Sequence, residues 1–182
     1  IFLFFKFMST NNSFQLDQYC LSDSIGTGPL GEVSLLKSKE SGKLHIIKVF
    51  NKNIPKINNK KESKKILQEI EIISKFQFPS IVQFNGFCQI QHKNSAIVSE
   101  FISDRSLHQI IQSKNNAKFN DTTKLIIIYG IAKGLSYLHS NGIIHCNLKT
   151  ENIIVDDNYH PYITDFALSK SIHSVLNKKS IN

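Results

Sequence analysis

Cysteine is scarce in this chain and thinly spread, with Cys20, Cys88 and Cys146 the only three. An odd number, wide spacing and no C-x-x-C pair suggest neither a disulfide framework nor a zinc site. A reducing, intracellular and cytoplasmic compartment is the expected home. Long apolar runs are also missing. The opening "IFLFFKFM" is strongly apolar, but it is far shorter than the ~20 residues that span a bilayer. It lacks the basic n-region and small-residue cleavage site of a secretory signal. Residues 1–18 are therefore expected to be a disordered extension or a gene-model artefact, with Met8 the expected start. Internal repeats and long low-complexity linkers are absent as well.

What is present is ordinary for a globular protein: 182 residues, 41% hydrophobic and 20% charged. That is enough for one domain with a sizeable core or for two small lobes. The net charge of +8 raises nucleic acid or an anionic membrane surface as partners. Many of the lysines, however, fall in one polar stretch, "KNIPKINNKKESKK" from Lys52 to Lys65, with no aromatics interleaved to stack on bases. A solvated loop leading into a helix is favoured over a nucleic-acid patch there.

Along the chain, short apolar runs broken by glycines and by Ser41-Gly42 predict strands over Tyr19–Ile25, Glu32–Lys37 and Leu44–Phe50. Ile66, Leu67, Ile70, Ile73 and Phe76 recur at helical spacing, and Pro79 stops them. Ile81–Cys88 and Ser95–Ile102 read as further strands. A short helix near Ser106–Gln112 and a long one follow. In the long helix Leu125, Ile128, Ala132, Leu135 and Leu138 share a face, and Asp121 is the expected N-cap. A strand-rich half thus precedes a helix-rich half, and a cleft between them is expected.

Four features carry chemistry. "GTGPLGEV" spaces Gly26, Gly28 and Gly31 as G-x-G-x-x-G, but strand-like residues and a hairpin follow it. A flap over phosphates, or a hairpin that binds nothing, fits better than a dinucleotide-binding turn. Lys48 lies in the apolar strand "LHIIKVF", where it either snorkels to water or neutralises an anion. Glu69 shares a helix face with Ile66 and Ile73 and is its candidate partner, since a buried lysine needs one; Glu71 points to solvent. "HCNLKTEN" (145–152) is a polar loop held between two apolar runs, Ile143-Ile144 and Ile153-Ile154-Val155, and such loops often carry chemistry. Asp165-Phe166-Ala167 follows.

In this order, and together with "EIEIISKFQFPSIVQFNGFC", these motifs resemble a protein kinase domain over about Tyr19 to Lys170, and in particular the tyrosine-kinase-like serine/threonine kinases. The resemblance implies an α+β bilobal fold. An antiparallel-sheet N-lobe with one main helix and the hinge would span 19–102. A partial, mainly helical C-lobe over 103–182 would end within the activation segment. It also implies ATP and Mg²⁺ as cofactors and protein substrates or partners. Lys48 would hold the phosphates and pair with Glu69. Gly26, Gly28, Gly31, Val33, Ile46 and Ile154 would surround the nucleotide, and Ser99, Glu100 and Phe101 would form the gatekeeper and the start of the hinge. Asn152 and Asp165 would coordinate the metal, and Lys149 would sit near the γ-phosphate. His145, Phe166 and Ile73 would belong to an apolar spine.

Departures from the family pattern decide what activity to expect. Asn147 stands where the family's Asp accepts the substrate hydroxyl's proton. A carboxamide can orient a hydroxyl but cannot take up that proton as a carboxylate does. Cys146 replaces an Arg, Ala167 replaces the Gly of D-F-G, Pro29 removes a backbone donor at the flap, and Ile46 narrows the adenine slot. Only 17 residues follow Asp165, with no A-P-E, so a fragment is expected. The leading expectation is a nucleotide-binding, kinase-like domain with weak or absent phosphotransfer, acting as a signalling scaffold or allosteric regulator. An active serine/threonine protein kinase is the alternative, and a basic nucleic-acid-binding module is a distant third.

Overall fold

The computed structural model describes residues 14–28, 31–50, 69–90, 94–113 and 119–172. These divide into two compact units, the first drawn from Ile1–Ser74 and Gln83–Phe101, the second from Lys75–Val82 and Ile102–Asn182. The Lys52–Lys65 stretch, Ile66, Leu67 and Pro29 lie outside the described residues.

The first unit is a five-stranded antiparallel sheet ordered β1-β2-β3-β5-β4. Its strands are β1 (Tyr19–Gly28), β2 (Gly31–Ser38), β3 (Leu44–Phe50), β4 (Phe84–Ile90) and β5 (Asn94–Glu100). Period-2 alternation in β3 places His45 and Ile47 on one face, both buried. Ile47 joins Leu36, Cys88, Ala96 and Val98 in a core, with Phe14, Leu16 and Tyr19 packed against it. Residues 14–18 thus depart from the disordered extension expected up to residue 18. Phe14 donates its N–H to the Phe87 carbonyl at 2.8 Å, and covering the sheet's apolar face takes part of Phe14 and Leu16 out of water. On the other face, residues 69–75 are helical, with Glu69, Ile70, Ile72 and Ile73 buried and Glu71 exposed.

The second unit is built on two helices, α1 (Leu107–Gln112) and α2 (Asp121–Ser140), with four short strands: β6 (Ile143–Ile144), β7 (Ile153–Val155), β8 (Pro161–Ile163) and β9 (Lys170–Ser171). β6 pairs with β9 and β7 with β8, both antiparallel. A capping box starts α1: Ser106 Oγ accepts from the Gln109 N–H at 3.3 Å while Gln109 Oε1 accepts from the Ser106 N–H at 2.7 Å. α2 is capped by Asn120, whose Oδ1 accepts from the Thr123 N–H at 3.1 Å. Asp121, the expected cap, is instead the first helical residue.

The packed face of α2 also differs from the expected one. Ile127, Gly134 and Leu138 are buried, whereas Leu125, Ile128 and Ala132 are exposed. Apolar residues occupy two stripes of this helix, and periodicity alone does not choose between them. Small residues decide. A Cβ on Gly134 would come within 2.8 Å of Ile163 Cδ1, and one on Gly130 within 2.5 Å of Pro161 Cγ, so both glycines let α2 approach β8.

Candidate functional site

In the first unit the sheet register gathers several of the expected nucleotide-binding residues. Lys48 lies opposite Val33 on one side and Ile97 on the other, and Ile46 lies opposite Leu35 and Ser99. Residues directly opposite share a face, as do i and i+2, so Val33, Ile46, Lys48 and Ser99 line one face of the sheet. From the helical segment, Glu69 meets Lys48 on that face. Lys48 Nζ donates to both carboxylate oxygens of Glu69, at 2.7 and 3.1 Å. Glu69 is only 3% exposed. Burying that carboxylate is tolerable because a cation meets it in bidentate geometry. The ammonium also lies 5.9 Å from the centre of the Phe50 ring.

The glycines differ in what they do. At Gly31 a Cβ would fall 2.0 Å from the Val49 carbonyl oxygen, so glycine is required there for β2 to pair with β3. Gly26 has nothing within 4 Å of its Cβ position, and Gly28 ends β1 opposite Gly31. Glu100 is tied back to Gln83: its N–H donates to the Gln83 carbonyl at 3.0 Å, and its Oε1 accepts from the Gln83 N–H at 2.7 Å. Phe101, next along, is half-buried.

In the second unit the loop 145–152 closes onto residues 164–166 through a hydrogen-bond network. His145 is 2% exposed. Its Nε2–H donates to the Thr164 carbonyl at 2.9 Å, and its Nδ1 accepts from the Asn147 N–H at 3.2 Å. Both bonds require the neutral ring protonated on Nε2. Burial pushes the imidazole below its ordinary value of 6.5, with the Thr164 carbonyl and the charge of Asp165 pulling the other way. The ring also meets Phe166 edge-on at 5.1 Å. Ser169 donates its hydroxyl to the His145 carbonyl at 3.1 Å. Thr164 is held further by Asn152, whose carbonyl accepts from the Thr164 N–H at 3.0 Å and from its hydroxyl at 3.2 Å.

Within this frame stands a polar triad. Asn147 Nδ2 donates to Asp165 Oδ2 at 2.7 Å. Asn152 Nδ2 donates to the same oxygen at 3.3 Å and to the Asn147 carbonyl at 2.9 Å. Asp165 and Cys146 both adopt left-handed backbone, at φ 63° and 61°, a sparsely populated conformation that persists when surrounding bonds fix it. Ala167 is buried and is not among the described residues with positive φ, so the observed conformation does not call for glycine there. Lys149 is exposed, Ile154 is half-buried and Asn152 is 9% exposed. A carboxylate and a carboxamide side by side are oxygen donors of the kind Mg²⁺ takes, so Asp165 and Asn152 fit that metal. Thr164 and Ser169, which hold the loop, carried no sequence signal, because isolated hydroxyl residues beside an apolar run read as turn chemistry.

Residues 19–181 match the family described as protein kinase domain. Curated relatives include a serine/threonine-protein kinase/receptor of Acanthamoeba polyphaga mimivirus, 30% identical over 96% of this chain and 10% of its own length. The Aurora kinase of Debaryomyces hansenii is 33% identical over 90% of this chain and 39% of its own length. Cysteine-rich receptor-like protein kinase 5 of Arabidopsis thaliana is 30% identical over 85% of this chain and 23% of its own length. The chain therefore spans well under half the length of these relatives. Among the described residues no helix is long and apolar enough to cross a membrane.

Proposed function

Because the chain belongs to the protein kinase domain family, we propose that it binds a nucleotide, with ATP and Mg²⁺ the expected pair, and transfers phosphate weakly or not at all. In this reading it acts on protein partners as a scaffold or allosteric regulator. The observation that carries it is Asn147, which stands where the family's proton acceptor would be and whose side-chain nitrogen is committed to Asp165. A carboxamide has no basic site for a hydroxyl proton. General-base assistance is worth ~10²–10⁴ in rate.

The rest of the reading is assigned residue by residue. Lys48, held by Glu69, would neutralise phosphate charge. Val33, Ile46 and Ser99 on the same sheet face would meet the base, with Gly26, Gly28 and Gly31 on the flap and Glu100 and Phe101 at the hinge. In the second unit, Lys149 would sit near the γ-phosphate and Ile154 would meet the nucleotide. Asp165 and Asn152 would hold Mg²⁺, which when bound would offset phosphate charge.

An active serine/threonine kinase is the second reading, favoured by the intact Lys48–Glu69 pair and by the retention of Asn152 and Asp165. Phosphotransfer by the full-length protein decides between them. The first reading expects little or no turnover in the wild type and a gain of about 10²-fold or more in Asn147→Asp. Robust wild-type turnover that Lys48→Ala abolishes overturns it. A dose-dependent rise in Tm with Mg²⁺–ATP checks nucleotide binding separately.

A further inference from the structure

The Asn147 side chain does more than lack basicity: it makes a bond that a carboxylate cannot. Its Nδ2 lies 2.7 Å from Asp165 Oδ2, the shortest contact of the triad, while Asn152 reaches the same oxygen at 3.3 Å. A carboxylate at position 147 has no N–H to donate and would set two like charges at that separation. As the sequence stands, the contact is a hydrogen bond from a neutral donor to an ion, which belongs to the stronger class of such bonds. Both ends of the bond are anchored. The main chain of Asn147 donates to His145 Nδ1, and the residue before Asp165 is held by His145 and Asn152. Asp165 sits at φ 63°, so its backbone conformation needs such support.

We propose that Asn147 is a positioning residue: its carboxamide holds the Asp165 carboxylate in place without a divalent cation, so that the order of residues 164–167 does not depend on Mg²⁺. The proposal rests on reading Asp165 as a metal ligand, but its test reads stability and not phosphotransfer, so the two can fail separately.

The test is a thermal unfolding cycle on the full-length chain, run in EDTA and in millimolar Mg²⁺. The wild-type Tm is expected to rise less between EDTA and Mg²⁺ than that of Asn147→Asp, since a cation that binds the folded chain adds stability to either. Asn147→Asp is expected to lower Tm in EDTA by on the order of 5 °C, the scale of one charge-assisted hydrogen bond in a chain of this size, and Mg²⁺ should restore most of it. Asn147→Leu, which removes the donor without adding charge, should lose stability that Mg²⁺ does not restore. The decisive arm is the exchanged pair, Asn147→Asp combined with Asp165→Asn. It rebuilds a carboxamide–carboxylate contact with the charges reversed and should recover toward the wild-type Tm in EDTA, a coupling that independent structural damage at two sites would not produce. A wild-type Tm that falls in EDTA as far as that of Asn147→Asp overturns the proposal. So does an exchanged pair no more stable than the sum of its single substitutions predicts. If Asn147→Asp cannot be recovered in any buffer, Asn147→Leu decides: a Tm equal to wild type in EDTA overturns the proposal, and a metal-insensitive loss supports it.

Discussion

The two units each hold a hydrogen-bonded carboxylate, and they do so with different partners. In the first, Glu69 is buried against an ammonium that approaches both of its oxygens. In the second, Asp165 is met at Oδ2 by two neutral carboxamides. A buried ion pair is costly to break, because the charge left behind has already lost its water. The Glu69 contact joins opposite charges, whereas the two amides that meet Asp165 Oδ2 bring hydrogen bonds and no charge.

The largest expected effect comes from breaking the first arrangement. Lys48→Ala removes the ammonium against which Glu69 is buried and should cost about 3–5 kcal/mol of stability, read by denaturant unfolding. A loss below 1 kcal/mol would mean that the carboxylate of Glu69 finds water or another partner easily. Next is the packing of the second unit. Ile127→Ala on the buried face of α2 should cost about 2–5 kcal/mol, while Leu125→Ala, at a residue 66% exposed, should stay within about 0.5 kcal/mol. Equal costs would return the helix to the orientation expected from periodicity.

The smallest effect is a pH dependence shared by both units. Burial lowers the pKa of His45, with Lys43 adding to the effect and Asn85 opposing it, and burial likewise lowers that of His145. The unfolded chain therefore binds these protons first as pH falls below the ordinary value of 6.5. Stability is full above that pH and declines below it, by up to about 1.4 kcal/mol per pH unit for each imidazole, until the folded state also protonates. His45→Phe, placed among Phe14 and Tyr19, should remove the first unit's share of the slope between pH 7 and 5. An unchanged slope would assign the dependence to other groups.

Local chemistry that depends on near neighbours was readable in the sequence. The bounds of β3 follow from its alternation, and the approach of Glu69 to Lys48 follows from a helix face and a strand position. Information carried by distant contacts was not. Nothing in Leu125, Ile128 and Ala132 reveals that Gly130 and Gly134 on another stripe would take the packed position against β8. The role of Phe14 and Leu16 became visible only once a sheet face existed for them to cover. Within the site, Asn147 was legible as a lost base, because that follows from side-chain chemistry alone. Its bond to Asp165 joins residues 18 apart and requires the fold.

Gly31 carries a lesson about descent. Because the carbonyl of Val49 would lie 2.0 Å from any Cβ at that position, a lineage that abandoned nucleotides altogether would still inherit glycine there, selected for its sheet and not for a ligand. Gly26, with open space around it, has no such protection. A drift to alanine at position 26 would be structurally silent, which makes that position, and not Gly31, the one whose variation among descendants would record whether the flap still serves a phosphate.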